Sequence, residues 1–106
     1  MIKRTHTCGQ LRRNDIGMDI ALTGWVQRRR DHGGLIFIDL RDRHGITQVV
    51  FNPEANKDIH AIAHGLRSEY VIGVKGVVRE RPAGTSNANL KTGEIEVGVN
   101  EIEIIK

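Results

Sequence analysis

The alternation of apolar and polar residues along the chain predicts five β-strands. Between residues 19 and 30, Ile20, Leu22 and Val26 fall on one face, with Thr23, Trp25 and Gln27 on the other. A period of two with β-branched and aromatic residues is typical of a half-buried strand. Gly24 inside this run predicts a bend or a bulge. Similar patterns predict four further strands at residues 35–42, 46–51, 70–81 and 94–105.

Three of these further strands divide into an apolar and a mixed face. We expect the apolar side chains of these strands to face a common core: Ile36, Ile38, Leu40, Val49, Phe51, Ile95, Val97 and Val99. We expect the opposite face to point outward: Leu35, Phe37, Asp39, Arg41, Gln48, Val50, Glu94 and Glu96. Gly73 and Gly76 are predicted bend points of the fourth strand.

A helical pattern lies between the third and fourth strands. Asn52 is a candidate cap and Pro53 suits the first helical position. The apolar residues that follow are spaced as on one face of a helix ending near Ser68, and they are Ala55, Ile59, Ile62, Ala63 and Leu66. Residues 1–18 predict an irregular arm with one helical turn. Residues 31–34 and 43–45 predict turns, and residues 82–93 a polar loop.

The order β-β-β-α-β-β predicts an all-β fold, a small β-barrel with one helix. Five strands with a helix between the third and fourth indicate the OB-fold, which binds oligonucleotides or oligosaccharides across strands 2 and 3 and the adjacent loops. A small barrel of the SH3 type is the alternative, and the position of the helix favours the OB-fold.

The composition indicates one small domain. The chain has 106 residues, 39% of them hydrophobic. The single cysteine, Cys8, excludes an internal disulfide and a cysteine-based zinc cluster. We found no bilayer-spanning apolar run and no secretory signal, so we expect a cytoplasmic protein with no membrane partner. We expect no catalytic residue and no metal site, although His60 and His64 lie four residues apart.

Basic residues concentrate in the first half of the chain. The formal net charge is +3, and residues 1–50 carry nine basic and five acidic side chains. The peak is the run Arg28–Arg30. A clustered basic run suggests a polyanionic partner, with a solvated surface run as the alternative.

Several predicted outward side chains have the chemistry needed to bind nucleic acid. Phe37 could stack a base, which contributes about 1–3 kcal/mol. Gln48 carries a donor and an acceptor that could pair with a base edge, and the Glu96 carboxylate could accept two bonds from guanine. Arg79 and Arg81 share a face of the fourth strand and could bind a base or a phosphate.

The sequence resembles a known family over essentially its whole length. Residues 24–51, GWVQRRRDHGGLIFIDLRDRHGITQVVF, closely resemble the N-terminal anticodon-binding domain of bacterial-type aspartyl-tRNA synthetases. Residues 8–11, 66–70 and 92–97 fit the same family. Asparaginyl- and lysyl-tRNA synthetases share a looser version of the motif. The resemblance implies that residues 1–106 are an OB-fold anticodon-binding domain, an N-terminal fragment of a larger synthetase with its catalytic domain absent.

The resemblance also implies roles for individual residues toward the anticodon GUC. Phe37 would stack the middle uracil, Gln48 would read its edge, and Glu96 would read the first base. The third base and nearby phosphates would be held by Arg30, Arg79, Arg81 and Asn87. Position 50 is often aromatic in the family, whereas this chain has Val50.

Some members of the family also charge tRNA-Asn, whose anticodon GUU differs from GUC in the third base. By resemblance, that base lies near the turn after the arginine run and the loop after strand four, where this chain has His32 and Gly84. An adaptable imidazole and a residue without a side chain could admit either pyrimidine. Their ordinary use in turns is the alternative.

For the full-length protein, the resemblance implies an aspartate-tRNA ligase, a class II aminoacyl-tRNA synthetase. It would use ATP and Mg²⁺, form an aspartyl-adenylate, charge tRNA-Asp and act as a cytoplasmic homodimer. The 106 residues would need no cofactor and would be inactive alone. The alternative function is a general single-stranded nucleic-acid-binding or protein-interaction OB domain without preference for a GUC loop.

Overall fold

Five strands close into a barrel with one helix outside the sheet. The computed structural model describes all 106 residues. In chain order the elements are β1 (Asp19–His32), β2 (Leu35–Asp42), β3 (Gly45–Phe51), α1 (Lys57–His64), β4 (Val71–Glu80) and β5 (Ile95–Ile104). The strands are ordered β1-β2-β3-β5-β4, and only the β3–β5 pairing is parallel. The predicted all-β barrel with a helix between strands 3 and 4, the OB-fold, is confirmed.

The barrel interior contains the side chains that the alternation placed there. Phe51 is the largest of the fully buried residues, and it lies among aliphatic side chains from all five strands. The buried strand residues include Ile20, Leu22, Val26, Ile36, Ile38, Leu40, Val49, Ile72, Val74, Val78, Ile95, Val97 and Val99. The period of two therefore identified the inward faces of β1, β2, β3 and β5, whereas no inward face had been assigned to β4, whose buried residues are Ile72, Val74 and Val78.

Strand β1 is longer than predicted and bends at a different residue. It continues through Asp31 and His32, and the turn consists of Gly33 and Gly34 alone, with φ angles of 60° and 85°. A two-residue hairpin loop with positive φ at both positions follows the twist of the strands it joins. The pairing with β2 shifts between Val26 and Arg28, so the bulge lies at Gln27 and not at Gly24.

Gly24 instead permits a close approach between neighbouring strands. A Cβ atom at this position would lie 2.3 Å from the carbonyl oxygen of Arg41. Of the two predicted bend points in β4, Gly76 lies at a shift of the β4–β5 register, which falls between Lys75 and Gly76, whereas the pairings of Gly73 are regular.

The helix begins later and ends earlier than predicted. Its cap is Asn56, whose side chain accepts a hydrogen bond from the backbone N–H of Ile59 at 3.0 Å. Asn52 does not cap α1, because its side chain accepts from the backbone N–H of Glu54 and makes a preceding turn. Ile62 is 42% exposed, so it does not belong to the predicted buried stripe.

Ala55 is also exposed, because it precedes the helix. The buried part of the predicted stripe consists of Ile59, Ala63 and Leu66. These side chains pack against the main core.

The N-terminal arm includes a short 3-10 turn at Arg13–Asp15, as predicted, and it is anchored to the barrel. Cys8 and Leu11 are fully buried. The backbone N–H of Cys8 donates to Asp42 Oδ2 at 2.9 Å, and Thr47 Oγ1 donates to the Cys8 carbonyl at 2.6 Å. The arm therefore forms part of the core.

No helix in the structure combines the length and the apolar character needed to span a membrane.

Candidate nucleic-acid interface

An open cleft of about 430 Å³ lies on the outer face of the barrel. Strands β1, β2, β3 and β5 provide part of its lining, and residues following β4 complete it. The lining residues are Arg30, Asp31, His32, Phe37, Gln48, Arg81, Pro82, Thr85 and Glu96. Because only Phe37 is strongly apolar among these, the cleft suits a polar ligand with a flat ring.

Six of the nine predicted site residues line this cleft: Arg30, His32, Phe37, Gln48, Arg81 and Glu96. Arg79 does not line it but contacts Glu96. Gly84 does not line it either, but lies in a neighbouring pocket that shares Arg81 and Pro82 with the cleft. Asn87 lies outside the cleft and makes hydrogen bonds within its own loop, to Asn89 and Gly93.

Phe37 and Arg30 lie beside each other across the β1–β2 pairing. Phe37 is on the outer face, as predicted, and is partly exposed in the cleft. The guanidinium carbon of Arg30 lies 5.8 Å from the centre of the Phe37 ring. At this distance the cation is attracted to the ring. The cleft thus combines an aromatic surface with a positive charge.

A chain of hydrogen bonds between polar side chains crosses the outer face. Arg30 Nη2 donates to Gln48 Oε1 at 2.9 Å and to Asp39 Oδ1 at 3.2 Å. Gln48 Nε2 donates to Glu96 Oε1 at 2.9 Å, and Arg79 Nε donates to Glu96 Oε2 at 2.8 Å. We call these five residues the polar chain. Its charges alternate, so each member is stabilised by its neighbours.

Two members of the polar chain are less exposed than the strand pattern suggested. Gln48 and Glu96 are on the outer face, as predicted, but they are only 5% and 2% exposed. Arg30 and Arg79 lie against them and cover them. Hydrogen bonds formed in such a site are stronger than in water, because the local dielectric constant is low.

Arg81 holds the β4–β5 loop against the barrel. Its Nε donates to the Ile95 carbonyl at 3.1 Å and its Nη1 to the Thr85 carbonyl at 3.3 Å. Burial lowers the pKa of Arg81; Glu96 and Asp39 oppose this change, and nearby Arg30 adds to it. Through its bond to the Thr85 carbonyl, Arg81 positions Thr85 at the cleft, and the Arg81 side chain itself also lines the cleft.

The three consecutive arginines have three different environments. Arg28 is exposed and makes no ion pair. The Arg29 guanidinium donates to the carbonyls of Ala63, His64 and Leu66, which lie at the C-terminal end of α1. Arg30 lines the cleft. Only one arginine of the predicted basic run is therefore part of the cleft.

The sequence interpretation missed four residues of this region: Asp31, Asp39, Pro82 and Thr85. Asp39 lies two residues after Phe37 in the same strand, so alternation already placed it on the outer face. Its partner Arg30 could not be identified from that pattern. The contribution of Pro82 and Thr85 depends on the loop conformation, for which the polar composition gave no signal.

The side chains considered for metal binding or nucleophilic chemistry have structural partners. His60 Nε2 donates to the Gly34 carbonyl at 2.8 Å, and its ring meets His64 edge-on. Burial, with a further contribution from Asp42, raises the pKa of the Cys8 thiol. No group of three or more His, Cys, Asp or Glu side chains is arranged to hold a metal ion.

Curated proteins of similar sequence are much longer than this chain. The aspartate–tRNA(Asp/Asn) ligase of Desulfotalea psychrophila is 61% identical over 104 residues, which are 98% of this chain and 17% of that protein. The ligase of the same name from Corynebacterium glutamicum is 59% identical over 102 residues. The chain spans about one sixth of the length of these relatives.

Solved structures share the architecture over the whole chain. The asparaginyl-tRNA synthetase from Pyrococcus horikoshii, complexed with asparaginyl-adenylate, has a TM-score of 0.82 and 27% identity, and the match covers 23% of that chain. The OBody AM2EP06 bound to hen egg-white lysozyme has a TM-score of 0.86 at 23% identity, with 96% of that chain covered, and shows the fold alone.

A family model described as an OB-fold nucleic acid binding domain, of the tRNA anti-codon type, matches residues 20–105. The matched range contains β2, β3, β4 and β5 entirely and all of β1 except Asp19. It also contains every residue that lines the cleft. The chain therefore belongs to this family of OB-fold nucleic-acid-binding domains.

Proposed function

We propose that residues 1–106 form the tRNA anticodon-binding domain of an aspartate-tRNA ligase. The family match and the relatives named aspartate–tRNA(Asp/Asn) ligase support this proposal. The observation that carries it is the cleft, where a partly exposed aromatic ring, a side-chain amide and an arginine lie together. A stacking surface, a group that can pair with a base edge and a positive charge are the requirements for binding single-stranded RNA.

In this proposal the middle base of the anticodon stacks on Phe37. Gln48 lines the same cleft and is within hydrogen-bonding distance of Arg30 and Glu96. Its amide retains one N–H and one oxygen lone pair beyond those bonds. These two groups can pair with the donor and acceptor on the edge of uracil.

The other site residues are assigned to the neighbouring bases and phosphates. Both oxygens of Glu96 already accept hydrogen bonds, so it would bind the first base through its remaining lone pairs. Arg79 is 45% exposed and uses only Nε in that contact, so its remaining donors suit a phosphate. Arg30, Arg81 and Asn87 complete the set assigned to the third base and nearby phosphates.

We further propose that the third base is held without strict selection between cytosine and uracil. His32 lines the cleft at the end of β1 and is exposed. Gly84 has a φ angle of 81° in a turn closed by a hydrogen bond from Thr85 N–H to the Pro82 carbonyl. The Asp/Asn wording in the names of the relatives supports charging of both tRNA-Asp and tRNA-Asn.

The ligase reaction itself belongs to the part of the relatives that this chain does not span. The full-length protein would bind ATP and Mg²⁺, form an aspartyl-adenylate and transfer aspartate to tRNA. We propose that it acts as a cytoplasmic homodimer. The cleft described above would then select the tRNA and take no part in the chemistry.

Replacing Phe37 with alanine tests the proposal. We expect Phe37→Ala to weaken binding of a GUC anticodon stem-loop by about 1–3 kcal/mol, the free energy of stacking one base. The melting temperature should change little, because the ring is on the outer face. Calorimetric titration at one salt concentration and thermal unfolding measure the two effects.

Tyr70→Ala is the matched control, because Tyr70 is an exposed aromatic residue that does not line the cleft. It should leave the affinity unchanged. A Phe37→Ala protein with normal affinity and a strongly lowered melting temperature would contradict the stacking role. Equal binding of GUC and unrelated loops by the unaltered chain would favour the alternative, a general single-strand-binding OB domain.

A further inference from the structure

We propose that Asp39 is a positioning residue that, together with Arg30 and Glu96, holds the Gln48 amide in one orientation. By doing so it sets the preference for uracil over cytosine at the base stacked on Phe37. The inference rests on the proposed anticodon-binding function and adds to it a residue and a mechanism of selection. Asp39 does not line the cleft, so it would act through Arg30 alone.

The two flanks of the Gln48 amide carry opposite charges. Arg30 Nη2 donates to its oxygen at 2.9 Å, and its nitrogen donates to Glu96 Oε1 at 2.9 Å. A flipped amide would direct its N–H groups at the arginine and its oxygen at the carboxylate. Both contacts would then be repulsive, and buried polar groups would lose their partners. The flanking charges therefore select one amide orientation.

A fixed amide orientation distinguishes the two pyrimidines when the ring position is also fixed. At adjacent positions of the edge, uracil presents the N3–H donor and the O4 acceptor. Cytosine presents the N3 acceptor and the N4 amine donor, which is the reverse order. Since stacking on Phe37 fixes the ring, an amide held in one orientation matches only one of the two edges, and a flipped amide matches the other.

Asp39 completes the arrangement by fixing the guanidinium of Arg30. Nη2 of Arg30 has two hydrogens, one directed at Asp39 Oδ1 at 3.2 Å and the other at Gln48 Oε1. Asp39 and Gln48 are also direct partners in the β2–β3 pairing. Without the carboxylate, Arg30 retains its contact with Phe37 but can rotate away from Gln48. The amide then loses one of the two charges that orient it.

The test compares stem-loops that differ only in the middle base, GUC and GCC. For the unaltered chain we expect a clear preference for GUC. Asp39→Asn keeps the side-chain shape but removes the charge. In this variant we expect the ratio of the two affinities to fall about tenfold, because the discrimination that one base-edge contact provides is of this size. A loss of affinity that is equal for both loops, or an unchanged ratio, would overturn the proposal.

Asp19→Asn is the matched control, because Asp19 is an exposed aspartate of β1 that does not line the cleft. It makes the same change in net charge and should leave the ratio unchanged. If the unaltered chain binds neither stem-loop, the proposed function fails, and the orientation of Gln48 is still tested without RNA.

That second measurement is the nuclear Overhauser pattern of the Gln48 side-chain NH₂ group. In the unaltered chain its protons should lie near the Glu96 side chain, and in Asp39→Asn these contacts with Glu96 should weaken as the amide samples both orientations. Unchanged contacts in a folded Asp39→Asn protein would overturn the positioning role. Should that variant fail to fold, Glu96→Gln weakens the opposite flank and should give the same changes, and its failure to do so would overturn the proposal.

Discussion

At the scale of single residues, Asp42 illustrates how one carboxylate joins the N-terminal arm to the barrel. It accepts hydrogen bonds from the backbone N–H groups of Cys8, His44 and Gly45 at 2.9, 2.7 and 3.1 Å. Burial alone would raise the pKa of Asp42, but these hydrogen bonds outweigh burial and the pKa is lowered.

We therefore expect Asp42→Asn to lower the free energy of unfolding by about 1–3 kcal/mol at neutral pH, because its NH₂ group would face the N–H of Cys8. The contribution of Asp42 is present above the unfolded pKa of about 4 and is lost as the pH falls through the lower folded value. Thermal unfolding of both proteins across this range measures the effect. A difference that stays constant into strong acid would contradict it.

Gln48 and Arg30 should affect RNA binding in different ways. Gln48→Ala should reduce discrimination at one anticodon base, because the amide would pair with one base edge. Arg30→Ala should weaken binding to every loop and reduce the salt dependence to the extent that its charge acts on phosphate. Titrations with loops changed at one base and at several salt concentrations separate the two. Equal loss on all loops for Gln48→Ala would refute base reading.

At the scale of elements, α1 is held at both ends by polar side chains. Asn56 caps its beginning, and the Arg29 guanidinium binds the carbonyls at its end. A cation at the C-terminal end of a helix also interacts favourably with the helix dipole. The helix has only eight residues, too few to be stable alone, so these end contacts add to the packing of Ile59 and Ala63 on the barrel.

We expect Arg29→Ala to destabilise the domain by about 1 kcal/mol, through loss of these charge-assisted bonds. Arg28→Ala is the matched control, because it removes the same side chain from a neighbouring exposed position and should leave stability unchanged. Chemical denaturation of the two variants provides the comparison. Equal stability of both variants would show that the contacts at the end of α1 contribute nothing.

Helix α1 also shows why the first and last residues of an element were harder to predict than the presence of that element. Asn52 followed by Pro53 has the composition of a helix start, and Asn56 has the same side chain four residues later. Both amides bind a backbone N–H two or three residues ahead, one in a turn and one in a cap. Local composition could not distinguish them, because the position of α1 depends on packing of Ile59 and Ala63 onto the barrel.

At the scale of the whole molecule, the selectivity of the domain for the third anticodon base can be measured directly. Titration with GUC and GUU stem-loops at one salt concentration should give similar affinities, because His32 is an exposed, adaptable group and Gly84 provides no side chain. A preference for GUC greater than about a hundredfold, or roughly 2.7 kcal/mol, would rule out relaxed recognition by this domain.

The sequence by itself determined the five strands, the inward faces of four of them and the chain order of strands and helix that indicates the OB-fold. Ile36, Ile38 and Leu40 alternate within one strand, so hydrophobic period alone fixed both their burial and the outward placement of Phe37 and Asp39. It also placed Gln48 and Glu96 on the outer face.

Only the tertiary structure decided which outward residues bind one another. Gln48 and Glu96 are 48 residues apart in sequence and come together only because β3 pairs in parallel with β5. Arg29 and Arg30 are adjacent in sequence, yet one binds the end of α1 and the other lines the cleft. Periodicity is a local property, whereas hydrogen-bond partners depend on closure of the barrel, which brings distant segments into contact.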